Sequence, residues 1–171
     1  MTTELQQAAY NAQLAAGLPV SELARAVLIP DNGRVHHRHC AEYLRAVQQT
    51  EWFRGAFAAH TEPLTVVGGR GVSRADAARR QIKVGTTDRS DVGTCEHACL
   101  HELAHIVTSD HGLGGELREP VQGRGSSKGH HHAWRANFVF IVRQTLGKPA
   151  AARLRREFNE WGLPTLRARR S

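Results

Sequence analysis

A chain of 171 residues that is 40% hydrophobic and 23% charged suits one soluble domain with a sizeable core, and is too apolar to be disordered. No apolar run approaches the roughly 20 residues that cross a bilayer, and the start, Met-Thr-Thr-Glu-Leu-Gln-Gln, lacks a secretory pattern, so a cytoplasmic protein is expected. The net charge of +7 comes from dispersed basic residues; it permits weak nucleic-acid association through a basic surface without demanding it.

In chain order, residues 3–28 read as helical with a break at Gly17-Leu18-Pro19, and Ser21 is placed to cap a second short helix. Pro30-Asp31-Asn32-Gly33 is a turn. One long helix is predicted from Arg34 to about His60, its packing stripe made by Tyr43, Leu44, Val47, Trp52, Phe53 and Phe57. His36, His37, His39 and Cys40 at its start read as a solvated helix end. Pro63 to Gly71 is a β-branched run ending in glycines, and Gln81 to Gly85 alternates; both read as strands. Ser73–Arg80 reads as a turn of helix or a loop, and Thr86–Gly93 as a polar loop. Thr94 is the expected N-cap of the next helix.

That helix carries His101-Glu102-Leu103-Ala104-His105, an H-E-x-x-H pattern. Residues four apart share a helix face, one turn above the other, so two imidazoles can reach one metal ion with Glu102 beside them as a general base. Leu100, Leu103, Ile106 and Val107 supply apolar positions for burial. The chemistry that this pattern points to is zinc-dependent hydrolysis. Cys95 and Cys99 lie on the same helix. They are read as buried small apolar residues, with a second metal site involving Cys95, Cys99 and His97 or the His36–Cys40 cluster as the competing reading.

After Val107 periodicity is lost: residues 108–130 are rich in glycine and read as a flexible loop or lid. Apolar helical spacing resumes at about His131 with Trp134, Phe138, Ile141, Val142 and Leu146, and stops at Gly147. Pro149 opens a last helix to Trp161, and Gly162-Leu163-Pro164 ends it. The division expected is an N-terminal helical extension over 1–33, a metallohydrolase domain over 34–164 and a basic tail over 165–171.

A catalytic zinc needs a third protein ligand and an open position. His111 has the spacing of H-E-x-x-H-x-x-G-x-x-H sites, but Thr108 stands where those sites have glycine, and the one methionine, Met1, cannot supply their Met-containing turn. Glu116 and Glu119 are carboxylate candidates in the glycine-rich stretch. His130, His131 and His132 lie where the chain re-enters a packed helix, which suits a preorganised ligand better.

From about Glu51 to Leu163 the chain resembles a family of metallohydrolases of actinobacteria and their phages, related to the SprT-like zincins. The residues that carry the resemblance are Trp52-Phe53, Thr65-Val66-Val67 with Gly69-Arg70-Gly71, Gln81-Ile82-Lys83-Val84, Leu100 to His105, and His130-His131-His132-Ala133-Trp134 through Gly147. The family's third ligand is the histidine of an H-G-P-x-[FW] pattern that opens the following helix. With the aromatic position on Trp134, that histidine is His130, while His131 and His132 replace the glycine and proline. The resemblance implies an α+β, zincin-like single domain with helices packed on a small β-sheet, Zn²⁺ held by His101, His105 and His130, and Glu102 as general base. A protein or peptide is the implied substrate class. The alternative is a SprT-like, nucleic-acid-associated or binding role in which the metal is mainly structural.

Overall fold

The computed structural model describes residues 4–108 and 130–163. The protein is α+β: among the described residues, seven α-helices accompany a mixed three-stranded sheet and a small hairpin. Two compact units divide the chain, one spanning 20–107 and the other 1–19 with 108–171. No helix among the described residues is long and apolar enough to cross a membrane.

The unit spanning 20–107 opens with α2 (Glu22–Val27), since α1 (Glu4–Ala15) belongs to the other unit. Ser21 caps α2 as expected, its Oγ accepting from the Ala24 amide at 3.1 Å. The expected turn is the tip of a hairpin in which β1 (Pro30–Asp31) pairs with β2 (Arg34–Val35). Asn32 and Gly33 both have positive φ, at 52° and 75°, as a two-residue turn matching the strand twist requires.

The single helix predicted over 34–60 is instead two, α3 (His37–Gln48) and α4 (Glu51–Ala56), followed by a short 3-10 turn at Ala58–His60. Thr50 makes the break. Its hydroxyl donates to the Val47 carbonyl at 2.7 Å and accepts from the Phe53 amide at 3.3 Å, so it closes one helix and caps the next. Most of the predicted stripe faces inward: Tyr43, Leu44, Val47 and Phe53 are buried, as is Phe57 just after α4, while Trp52 is half-buried.

The two predicted strands, β3 (Thr65–Gly69) and β5 (Gln81–Gly85), pair in parallel from Thr65 opposite Gln81 to Gly69 opposite Gly85. Between them in sequence, and on the far side of β5 in the sheet, comes β4 (Arg74–Asp76), antiparallel to β5, where a turn of helix or a loop was expected. Long-range bonds hold this strand in place. Asp88 accepts from the Ser73 amide and hydroxyl, at 3.2 and 2.6 Å, and Ser73 Oγ accepts from the Gly85 amide at 2.9 Å. Such pairing overrides a local preference that is weak in three residues.

The unit's last helix, α5 (Val92–Thr108), is buried nearly all round. It starts two residues before the predicted cap. Asp91, not Thr94, is the cap: its Oδ1 accepts from the Thr94 amide at 2.8 Å, and its Oδ2 accepts from the Thr94 hydroxyl. A carboxylate is the better acceptor at the positive end of a helix.

The other unit is helical: α1 (Glu4–Ala15), α6 (His132–Leu146) and α7 (Lys148–Glu160). Helix α7 packs on both others. Gly147, at φ 101°, turns α6 into α7, where Pro149 fills a first-turn position that needs no amide donor. A Schellman motif ends α7, with Gly162 at φ 72° and the Leu163 amide bonded to the Phe158 carbonyl at 2.7 Å. In its core Trp134 stacks on Phe138 at 4.9 Å and meets Phe158 edge-on at 6.2 Å.

Candidate metal centre

Helix α5 delivers His101 and His105 as their spacing predicts. The rings lie on one face, with centroids 5.2 Å apart and planes 60° apart. His101 is 9% exposed and Glu102 7%, so both sit inside the protein, while His105 is half-buried. Burial, with a smaller contribution from the negative charge of Asp88, pushes the Glu102 carboxyl up to about 8. A cation nearby would oppose both effects by favouring the carboxylate.

His130 precedes α6. Its ring meets Trp134 edge-on, with centroids 4.4 Å apart, and its carbonyl accepts from Arg135 Nη1 at 2.7 Å. Burial first, then the nearby positive charges of His131 and Arg135, lowers its pKa to about 4, which keeps the imidazole neutral at physiological pH. A neutral imidazole is the form that binds metal.

One ring nitrogen from each of His101, His105 and His130 lies within 4.8 Å of the others, a group that could hold a metal ion. His131 caps α6 with extended backbone and His132 is its first residue; neither belongs to that group. Of the loop expected over 108–130, Thr108 is the last residue of α5; residues 109–129, with His111, Glu116 and Glu119, lie outside the described residues. So does the basic tail.

A second group is formed by Cys40, Cys95 and Cys99, whose sulfurs also lie within 4.8 Å of one another. Cys95 and Cys99 are buried as the sequence implies, and of the competing partners, among the described residues, Cys40 joins them while His97 and the histidines before Cys40 do not. The signal that was available is the i, i+4 spacing of Cys95 and Cys99, the same rule that exposed the histidine pair. Nothing in the local sequence brings Cys40 to them; the packing of α3 does that.

Comparison with protein-family models, curated proteins and solved structures finds no match. The site therefore stands on its own chemistry.

Two buried polar groups support it that the sequence did not flag. Glu96 is fully buried, accepts from the Ser21 amide at 2.8 Å and from the Ser21 hydroxyl, and takes a 2.5 Å bond from the Tyr43 hydroxyl. These bonds tie the loop before α2, and α3, to the helix that carries the motif. Arg89, read as part of a polar loop, is 8% exposed and donates to the carbonyls of Val84 at 3.1 Å and Val35 at 3.2 Å. Satisfied buried polar groups of this kind hold a site's scaffold in one arrangement.

Proposed function

We propose that the protein is a zinc-dependent metallohydrolase that cleaves amide bonds of a protein or peptide substrate. The observation that carries this reading is the convergence of the three imidazole nitrogens of His101, His105 and His130. Borderline-soft nitrogen donors in a set of three suit Zn²⁺, and three protein ligands leave the fourth tetrahedral position for substrate or water. Zinc bound there would supply an activated water and polarise the scissile carbonyl.

The protein's own residues do the rest. Glu102, adjacent in sequence to His101 and largely buried, is the general base that takes a proton from the attacking water and returns it to the leaving amine. Trp134 fixes the plane of the His130 ring through its edge contact, and the Arg135 bond to the His130 carbonyl fixes the backbone that presents it. His101 and His105 are fixed by the helix itself. On this reading the protein is a zincin-like enzyme related to the SprT-like group, with the H-E-x-x-H helix paired to a histidine from the start of the following helix.

Glu102→Gln tests the catalytic part. The variant should bind zinc as the wild type does, yet lose amide hydrolysis on a panel of unfolded proteins and short peptides. Hydrolysis at the wild-type rate with zinc still bound would remove Glu102 as the general base, and no hydrolysis by the zinc-loaded wild type would reduce the metal to a structural role and end the enzyme reading.

A further inference from the structure

All three cysteines of the chain meet at one place in the unit spanning 20–107. Cys40 comes from α3, and Cys95 and Cys99 come from successive turns of α5. Each has no exposed surface. Cys40 Sγ lies 3.3 Å from Cys95 Sγ across 55 residues of sequence.

A thiol buried only as a small apolar group needs apolar neighbours, which the core supplies anywhere. It does not need other thiols. Burial opposes negative charge on these sulfurs, and one fixed positive charge nearby offsets part of that opposition. The Arg89 guanidinium is bonded to two carbonyls and acts electrostatically on Cys40 and Cys95. Glu96, on the same helix, is taken up by Ser21 and Tyr43.

We propose that Cys40, Cys95 and Cys99 form a buried three-thiolate site for one thiophilic metal ion, Cu⁺ or Zn²⁺, that clamps α3 to α5. Thiolates select such ions over hard cations. Loading exchanges up to three thiol protons for the ion and changes no oxidation state. Three ligands in a site with no exposed sulfur suit Cu⁺. The charge count favours Zn²⁺, since three thiolates and a divalent ion leave one negative charge, which Arg89 balances. The competing chemistry is a Cys40–Cys95 disulfide, which requires the sulfurs to close from 3.3 Å to a bond of about 2.05 Å and an oxidant to take two electrons.

The test uses the full chain carrying both His101→Ala and His105→Ala, so that the histidine group contributes no metal. The protein is kept reduced and anaerobic and is titrated in separate arms with Co²⁺, as a reporter for Zn²⁺, and with Cu⁺. One equivalent should bind in at least one arm, with sulfur-to-metal charge-transfer absorption in the near ultraviolet, and the three thiols, already shielded by burial, should react with a thiol reagent more slowly than those of the metal-free protein when both are held in sub-denaturing urea. Zn²⁺ displacing Co²⁺ would assign the zinc class; saturation by Cu⁺ alone would assign the copper class. Cys99→Ser in this background should lose the absorption. Should that variant not fold, thiol protection in the cysteine-intact chain is the deciding readout. Absence of charge-transfer absorption and of thiol protection in both arms overturns the proposal. So does a Cys40–Cys95 disulfide found by mass spectrometry in protein isolated without oxidant.

Discussion

Replacing Tyr43 by Phe removes one hydroxyl from the core and leaves the ring in place. Tyr43 and Glu96 both have no exposed surface, and the phenol donates to Glu96 Oε2 at 2.5 Å. A hydrogen bond to a charged group contributes about 1.5–3 kcal/mol. Glu96 keeps its two bonds from Ser21, so the loss is placed near the middle, at about 2 kcal/mol. For a protein of this size that is a fall of roughly 4–8 °C in melting temperature.

The assay is urea unfolding at pH 7, where the midpoint should fall without a change in slope. A double-mutant cycle with Glu96→Gln should show coupling of about 1 kcal/mol or more. The pH dependence follows from the same contact. Burial, and then the charge of Glu96, holds the Tyr43 phenol well above its usual value near 10. A folded value above the unfolded one means that the contribution is fully present below pH ~10 and is lost as pH rises through the folded value. Wild type should therefore lose stability above pH 10 more steeply than Tyr43→Phe does. A cost under about 0.5 kcal/mol at pH 7, or additive single variants, would refute the reasoning.

Gly85→Ala should be poorly tolerated, because a Cβ there would lie 1.9 Å from the Gly71 carbonyl oxygen, and backbone cannot move aside as a side chain can. A cost of about 3 kcal/mol or more is expected by chemical denaturation, and a near-neutral result would show that the crossing of the 71–72 segment over β5 is wrong. Asp91→Ala should cost about 1 kcal/mol as the loss of a helix cap, while Asp91→Asn should recover most of it. The hydrogen bonds from the Thr94 amide and hydroxyl hold the Asp91 carboxyl below its usual range, so its contribution persists at neutral pH and disappears as pH falls through that lowered value; acid unfolding curves of Asp91→Asn and wild type, compared, read this directly. Trp134→Ala should cost about 3–5 kcal/mol and weaken metal binding as well, since it removes both a core side chain and the edge support of His130; unchanged metal affinity would separate Trp134 from the site.

The parts of this fold that a local pattern encodes were legible in the sequence. Ser21 caps the helix it precedes, Gly147 and Gly162 take the positive φ that ends α6 and α7, and His101 and His105 meet because four residues make about one turn. What was hidden depends on partners distant in sequence. Thr50 carried a local signal, a hydroxyl three residues before Phe53, but the continuous apolar stripe of Tyr43 to Phe57 outweighed it. Strand β4 exists because Asp88 and Gly85 hold Ser73 beside β5, and no window around residues 74–76 contains that information. The same holds for the site. Two histidines share a helix and could be read from spacing, whereas choosing His130 from three adjacent histidines needed the resemblance, because a triplet has no periodicity to exploit. Cys40 is separated from Cys95 by 55 residues, so only packing reveals the cluster.

The central claim is that His130 completes a metal site begun by His101 and His105. Zinc affinity of wild type and His130→Ala, measured by competition with a chromophoric chelator at neutral pH, tests it directly. Removing a supporting group beyond the ligands typically costs 10–100-fold in affinity, so removing a ligand should cost more than about 100-fold. The account predicts that His130→Ala keeps its helical content and holds one zinc fewer per chain than wild type. The same zinc content and affinity in both proteins would contradict it.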